Sequence, residues 1–457
     1  MVEFDQVFSL KKKLFEKFID FLDEDGGGSL QEINEDRASA TIIVDMNGER
    51  GHKDGKFHVK DFTSALKLSQ NGGIIFLENG DYSAETFFDV KQKSQDPEKV
   101  ITIIGASTNE CSIHGTINIH AQHKVTFKRI KFEIGDSPES NDAIYVLGGK
   151  VVFNSCLLEA TVYTLWYLIG QESSNTTLTV KNCVVDGLES CQRAVTFQGQ
   201  NVSVHLEQSM FRDMFSVVTV LETGNSQAEN ISLVMDGCEV EDVQTGVHLS
   251  LSTSCAICHI TCCNITLVLY DQDAHMNAVE VDGGKTVTAD NNNIFFKHID
   301  GKGFFIKDVD EATLVRNCVK TTNGVDRKLA VGEAVVTDNV EKAVLDNLHI
   351  LGFRIGVKIR QSIAVEIRKT LIECCSVGIS VVKSRKHKKL EVLNNILKTV
   401  YYGVMGEDPG TSLILQGTQF IDIPKALLLC QASTSVLKIS ISNNISDILT
   451  HRRWYQA

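Results

Sequence analysis

From about residue 120 the chain repeats one short phrase. A small residue opens a run in which apolar and polar side chains alternate, as at residues 194–197, 246–249, 278–281, 356–359 and 378–381. A second alternating run ends in a polar turn, as at 178–183, 233–238, 287–292 and 390–395, and a third short run follows. The residue closing each second run falls at Ile130, Cys156, Cys183, Met210, Cys238, Cys263, Asn292, Cys318, Leu348, Thr370, Asn395, Thr418 and Asn444, with gaps of 22 to 30 residues. Alternation with period two reads as strand, not helix. Three short strands per repeat of about 26 residues predict an all-β fold, a single-stranded right-handed parallel β-helix of about 13 coils. A single coil cannot bury its inward face, so stacking of coils must supply the core. Pro97, Pro138, Pro409 and Pro424 all fall in predicted turns, as expected of a residue that cannot donate to a strand ladder.

The ends break the pattern. Residues 61–70 read as a short amphipathic helix before Asn71-Gly72-Gly73 that covers the first coil, and residues 448–457 as a cover for the last. Residues 73–77 then open the first coil. Residues 1–40 form a helical extension, with Phe15, Phe18 and Leu22 at helical spacing, followed by an acidic glycine-rich joint. The β-helix proper is expected over 41–457.

Composition narrows the partners. The net charge of −13 argues against nucleic acid and against an anionic membrane surface. No apolar stretch approaches the roughly 20 residues of a membrane helix, and residues 1–13 show no apolar signal region. With thirteen cysteines read as buried free thiols, the expectation is a cytoplasmic protein. Cys156, Cys183, Cys238, Cys263 and Cys318 should stack as a ladder, with Asn292, Asn395 and Asn444 forming amide bonds at the same position.

The phrase of small residue, alternating strand and Asn-Asn turn resembles the pectin lyase-like superfamily over about residues 60–450. That superfamily holds polysaccharide lyases, hydrolases, esterases and epimerases. It also holds intracellular binding scaffolds such as the nessun dorma and Shc-SH2-domain-binding protein type. The enzyme motifs fit badly. Gly80-Asp81-Tyr82-Ser83-Ala84-Glu85 approaches the pectinesterase motif with its glutamate one residue late. His114-Gly115 and Arg129-Ile130-Lys131 match two galacturonan-hydrolase motifs, without the aspartate motifs that should precede them, and read as coincidence.

In this superfamily the outward face of the first strand lines the binding groove. Alternation assigns to that face Tyr145, Trp166, His248, Glu280, Asp282, Lys307, Lys358 and Arg360 as ligand-binding residues. Glu280 and Asp282 could serve as acid and base on a glycosidic bond, and Lys358 or Arg360 could hold a carboxylate or phosphate. Should the chain be an enzyme, these four are the catalytic candidates. The plain alternative is a solvated polar face. Two tryptophans are few for a sugar cleft, and the negative charge opposes polyuronates.

Other motifs carry less. Cys255-Ala256-Ile257-Cys258-His259 has haem-attachment spacing, but within a strand Cys258 points inward and His259 outward, so the ligands diverge. Residues 23–34 resemble a calcium loop through Asp23 and Asp25, yet Gly27 and Asn34 occupy two ligand positions. Asp271 and Asp273 are a second weak calcium site. No cofactor is expected beyond that calcium. The preferred expectation is a non-catalytic intracellular scaffold binding a protein or glycan. The alternatives are a carbohydrate-active lyase, hydrolase or epimerase, and a structural fibre. Oligomeric state is open.

Overall fold

The computed structural model describes residues 30–48, 50–69, 71–83, 99–120, 123–135, 144–170, 175–220, 230–250, 256–268, 276–297, 300–321, 331–382, 389–407, 412–430, 438–440 and 448–449. The expected helix near residues 10–22, the tetrad Asp23, Asp25, Asp271 and Asp273, Cys255, Asn444 and residues 450–457 lie outside them. The fold is a right-handed parallel β-solenoid, divided into two compact units, residues 1–197 with 201–214 and residues 198–200 with 215–457.

In the first unit, Gly73–Leu77, Lys99–Gly105, His123–Lys128, Gly149–Asn154, Thr176–Lys181 and Val202–Glu207 pair in parallel, one per coil. A second ladder runs Gly80–Ser83, Cys111–His114, Lys131–Ile134, Leu157–Ala160 and Val184–Asp186. Alternation does the sorting. In His123–Lys128 every other residue is buried, which sends Val125 and Phe127 inward. Phe127 stacks on Phe153 with centroids 5.1 Å apart, and Phe132 meets both rings edge-on.

Strand pairing starts at the expected boundary near residue 41, ahead of the coil assigned to residues 73–77. Ile42–Val44 already pairs in parallel with Ile75, Phe76 and Leu77, and an antiparallel hairpin, Gly51–Lys53 with Lys56–Val59, follows it. The anticipated covering helix is present as Phe62–Leu68, with Asp61 accepting from the Ser64 amide at 2.7 Å and Phe62 and Ala65 buried. A further helix, Leu30–Ser39, lies within the helical extension expected over residues 1–40, beyond the segment read there at helical spacing. Its Glu32 and Asp36 meet Lys128 and the fully buried Arg129, with Arg129 at 2.7 Å from Asp36. Burial would raise the Asp36 carboxyl, but the bonds to Arg129 and Lys128 outweigh it and hold it below its usual range. Arg129 is therefore a tether to this helix.

The second unit repeats the plan. One ladder runs through Ile257–Thr261, Lys342–Asp346, Ala364–Arg368, Lys389–Leu393 and Ser412–Gln416. Another joins Asn264–Leu267, Asn293–Phe296, Cys318–Thr321, His349–Leu351, Leu371–Glu373, Ile396–Lys398 and Gln419–Ile421. Its core includes Phe296, set edge-on to Phe353 at 5.5 Å. Ile448–Leu449, expected as a cover, pairs as a strand with Leu427 and Leu428.

One corner recurs in both units. Among the described coils, the residue before each stacked position has positive φ: Arg129, Ser155, Asn182 and Gln208 in the first unit, then Gly237, Cys262, Asn291, Arg316, Asn347, Lys369, Asn394 and Gly417 in the second, all between 46° and 61° apart from Gly417 at 63°. A left-handed residue turns the chain sharply between two strands, and asparagine and glycine tolerate it best. Behind it stands the inward ladder, where two landmarks need correction. Ser209, not Met210, and Asn317, not Cys318, occupy the stacked position, because Cys183 N–H donates to Ser209 Oγ at 3.1 Å and Asn292 N–H to Asn317 Oδ1 at 3.0 Å.

Candidate functional site

The small residue that opens each first strand has a physical cause. A Cβ on Gly246 would sit 2.5 Å from the Ala278 carbonyl oxygen, and one on Gly303 2.5 Å from that of Ala334. Backbones of successive coils approach too closely there for a larger side chain. This column fixes the phase of the strands that follow. In the unit of residues 215–457, Val247, Val279, Phe304, Val335 and Val357 face the core, and the residues between them face out.

Three outward rows result. Asn277, Lys302 and Glu333 are in register; so are His248, Glu280, Phe305, Val336, Lys358 and Ser380; so are Ser250, Asp282, Lys307, Asp338 and Arg360. The face thus gathers His248, Glu280, Asp282, Lys307, Lys358 and Arg360 in the order expected. It does not gather them into one centre. Glu280 and Lys358 are three coils apart, roughly 14 Å at the spacing of paired strands. Their partners differ accordingly.

Glu280 Oε2 accepts from Asn277 Nδ2 at 2.6 Å and lies 2.9 Å from His248 Nδ1. Burial would raise its carboxyl, but the bond and charge of His248, the Asn277 amide and the charge of Lys302 outweigh that and hold it below the usual range. Lys307 donates to Asp282 Oδ2 at 2.7 Å, a bond that raises the lysine above its ordinary value despite partial burial. Lys358 bonds to Glu333, whose side chain is 6% exposed, and Arg360 stands 4.0 Å from Asp338. Lys302 lies over the Phe305 ring, 4.1 Å from its centroid.

Trp166 is a correction. It belongs to the other unit, is fully buried, and packs against Phe153 at 5.4 Å. Its register partner is the inward Ile144, while Tyr145 pairs with Tyr167. The outward aromatics there are Tyr145 and Tyr167, 5.9 Å apart. Asn277, Lys302 and Glu333 were also missed. Each immediately precedes a small residue, Ala278, Gly303 or Ala334, and that position is the signal that finds them. Cys258 is buried while His259 is half-exposed on the opposite face, as expected. Burial pushes the Cys258 thiol up to about 12, and no group of metal-binding side chains gathers among the described residues.

Residues 219–420 match the family described as right handed beta helix region. The chain is a right-handed parallel β-helix. No curated protein matches. Among solved structures it is similar to the catalytic unit of a GH87 alpha-1,3-glucanase from Streptomyces thermodiastaticus, at 13% identity over 88% of this chain and 68% of that one, TM-score 0.34. It is also similar to the A-module of mannuronan C-5 epimerase AlgE4 from Azotobacter vinelandii, at 11% identity over 87% and 100%, TM-score 0.30. A third is the GH136 lacto-N-biosidase from Eubacterium ramulus, at 11% identity over 90% and 70%, TM-score 0.30. At these values no residue role passes from them to this β-helix. They correct the expectation of a non-catalytic intracellular scaffold: the similar structures are carbohydrate-active enzymes, the class held as its alternative.

Proposed function

We propose that the outward first-strand face of residues 215–457 is the site of a carbohydrate-active enzyme that works by proton transfer at His248. The observation that carries this reading is the His248–Glu280–Asn277 constellation. A carboxylate held by the Asn277 amide stands 2.9 Å from Nδ1 of a half-exposed imidazole. A carboxylate on Nδ1 selects the tautomer in which Nε2 is the base, and it stabilises the imidazolium once a proton is taken. Glu280 is poorly suited to be the acid itself, because its partners keep it ionised. Its role is to orient and charge-balance the histidine. Lys358 and Arg360 lie three coils along, where they would hold a more distant part of an extended glycan.

The test is mass spectrometry of a broad glycan panel after incubation with the full chain. Shortened, unsaturated or epimerised products are expected. His248→Ala should lower their rate by on the order of 100-fold or more, and Glu280→Gln should also lower it. A panel without products, or products made equally by His248→Ala, overturns the reading.

A further inference from the structure

A second constellation lies in the unit that contains residues 1–197, on the ladder of Cys111–His114 and Lys131–Ile134. Ser112 and His114 are two residues apart on the strand Cys111–His114, so both point outward while Ile113 is buried. On the next coil, Glu133 is the register partner of His114 and Lys131 that of Ser112. His114 Nε2 is 3.2 Å from Ser112 Oγ, and His114 Nδ1 is 3.1 Å from Glu133 Oε2. This is the connectivity of a nucleophile, its base and the acid that orients the base, each link within hydrogen-bond reach. Asp81, on the preceding coil, also accepts a hydrogen bond from Ser112 Oγ and stands 3.9 Å from His114 Nε2.

Lys131 completes the surroundings. Its Nζ is 2.8 Å from Glu133 and 2.9 Å from Glu159. Partial burial would lower the ammonium, but those two bonds outweigh it and raise it above its ordinary value. It is a fixed positive charge on the coil beside the hydroxyl. Ser112 is 5% exposed and the His114 side chain 40%, so the hydroxyl is shielded while its base is open.

We propose that Ser112, His114 and Glu133 are an acyl-transfer triad that hydrolyses short uncharged acyl esters. The Ser112 hydroxyl turns from Asp81 to His114 Nε2. Its oxygen adds to the ester carbonyl carbon as the proton passes to Nε2, and Glu133 holds the imidazolium through Nδ1–H. Lys131 offsets the charge on the carbonyl oxygen. The carbonyl re-forms, the carbon–oxygen bond to the alcohol breaks, and the alcohol leaves with the proton from Nε2. Water then cleaves the acyl-serine by the same route, its proton going to Nε2 and on to Ser112 Oγ. Atoms and charge balance with ester and water alone. Asp81, Glu133 and Glu159 disfavour an anionic acyl group, which points to acetyl and similar esters.

The experiment uses the full chain with a fluorophosphonate probe and with p-nitrophenyl acetate. The probe should modify Ser112, located by peptide mass spectrometry. Labelling should vanish in Ser112→Ala and fall at least about 100-fold in His114→Ala, and ester turnover should fall on the order of 100-fold in Glu133→Gln. No label at Ser112 in the wild type, or equal labelling in His114→Ala, overturns the triad. None of these outcomes depends on His248, so the glycan reading stands or falls separately.

Discussion

The two units turn the same corner with different chemistry. In residues 1–214 the stacked position is sulfur and hydroxyl: Cys156 N–H reaches Cys183 Sγ at 3.4 Å, and Cys183 N–H reaches Ser209 Oγ at 3.1 Å. In residues 215–457 much of it is amide. Asn317 Oδ1 accepts from both the N–H and the Nδ2 of Asn292, at 3.0 and 2.9 Å, while Asn317 Nδ2 donates to the Ala289 carbonyl at 2.8 Å. Asn395 repeats this, accepting from Thr370 N–H and donating to Ile367 O, both at 2.9 Å. A thiol accepts weakly and fills space, whereas an amide pairs on both ends. A shared corner geometry thus sets no single residue type. It asks for a small group that can accept one buried N–H, and the cost of losing that group should follow its bonding.

The sharpest break is Asn317→Ala. It strands the Asn292 N–H, takes the side-chain donor from the Ala289 carbonyl and leaves Asn292 Nδ2 with the Ile260 carbonyl alone, in a place where Asn317 is 1% exposed. Unmet buried groups cost about 1–3 kcal/mol each, so a local loss of about 3 kcal/mol is expected. A repeat structure need not unfold in one step. The measurement is therefore hydrogen exchange of peptides covering residues 286–296, where protection should drop while that of residues 176–186 is unchanged. Equal loss in both would mean the ladder is not a local device.

Much of this architecture was legible in the chain, and the failures have physical causes. Strand alternation and coil spacing need only local pattern, so the landmarks fell at the turns. Two of them slipped by one residue, because Met210 and Cys318 look more core-like than Ser209 and Asn317. The deciding feature is the left-handed residue just before, which Gln208 and Arg316 supply without any asparagine or glycine signal. Trp166 failed for a related reason. In Thr164-Leu165-Trp166 two consecutive residues are buried, so simple alternation counted from Leu165 put the indole outside. The row of Asn277, Lys302 and Glu333 escaped since it precedes the small residue from which the first strand was counted. The ion pairs were invisible in principle: that Lys358 takes Glu333 rather than Glu280 depends on register between coils.

A gentler break is Cys183→Ala, which removes one weak acceptor and a little buried volume. About 1 kcal/mol of stability should be lost at pH 7, read from thermal unfolding. A loss as large as that of Asn317→Ala would erase the contrast between the two ladders.

The finest distinction is in pH. Amides do not titrate, but burial holds the Cys183 thiol well above its ordinary value. The unfolded chain gives up that proton near pH 8.5 and the folded chain does not. Above that pH the unfolded state binds fewer protons, so stability falls as pH rises, by about 1.4 kcal/mol per unit for one such thiol. Below pH 8.5 the contribution is fully present. The penalty of Cys183→Ala should therefore shrink from about 1 kcal/mol at pH 7 towards zero near pH 9.5, while that of Asn317→Ala stays constant over the same range. A Cys183→Ala penalty that does not change with pH would mean that the thiol ionises as readily in the folded coil as in the open chain, and that sulfur in this corner is not shielded in the way the amides are.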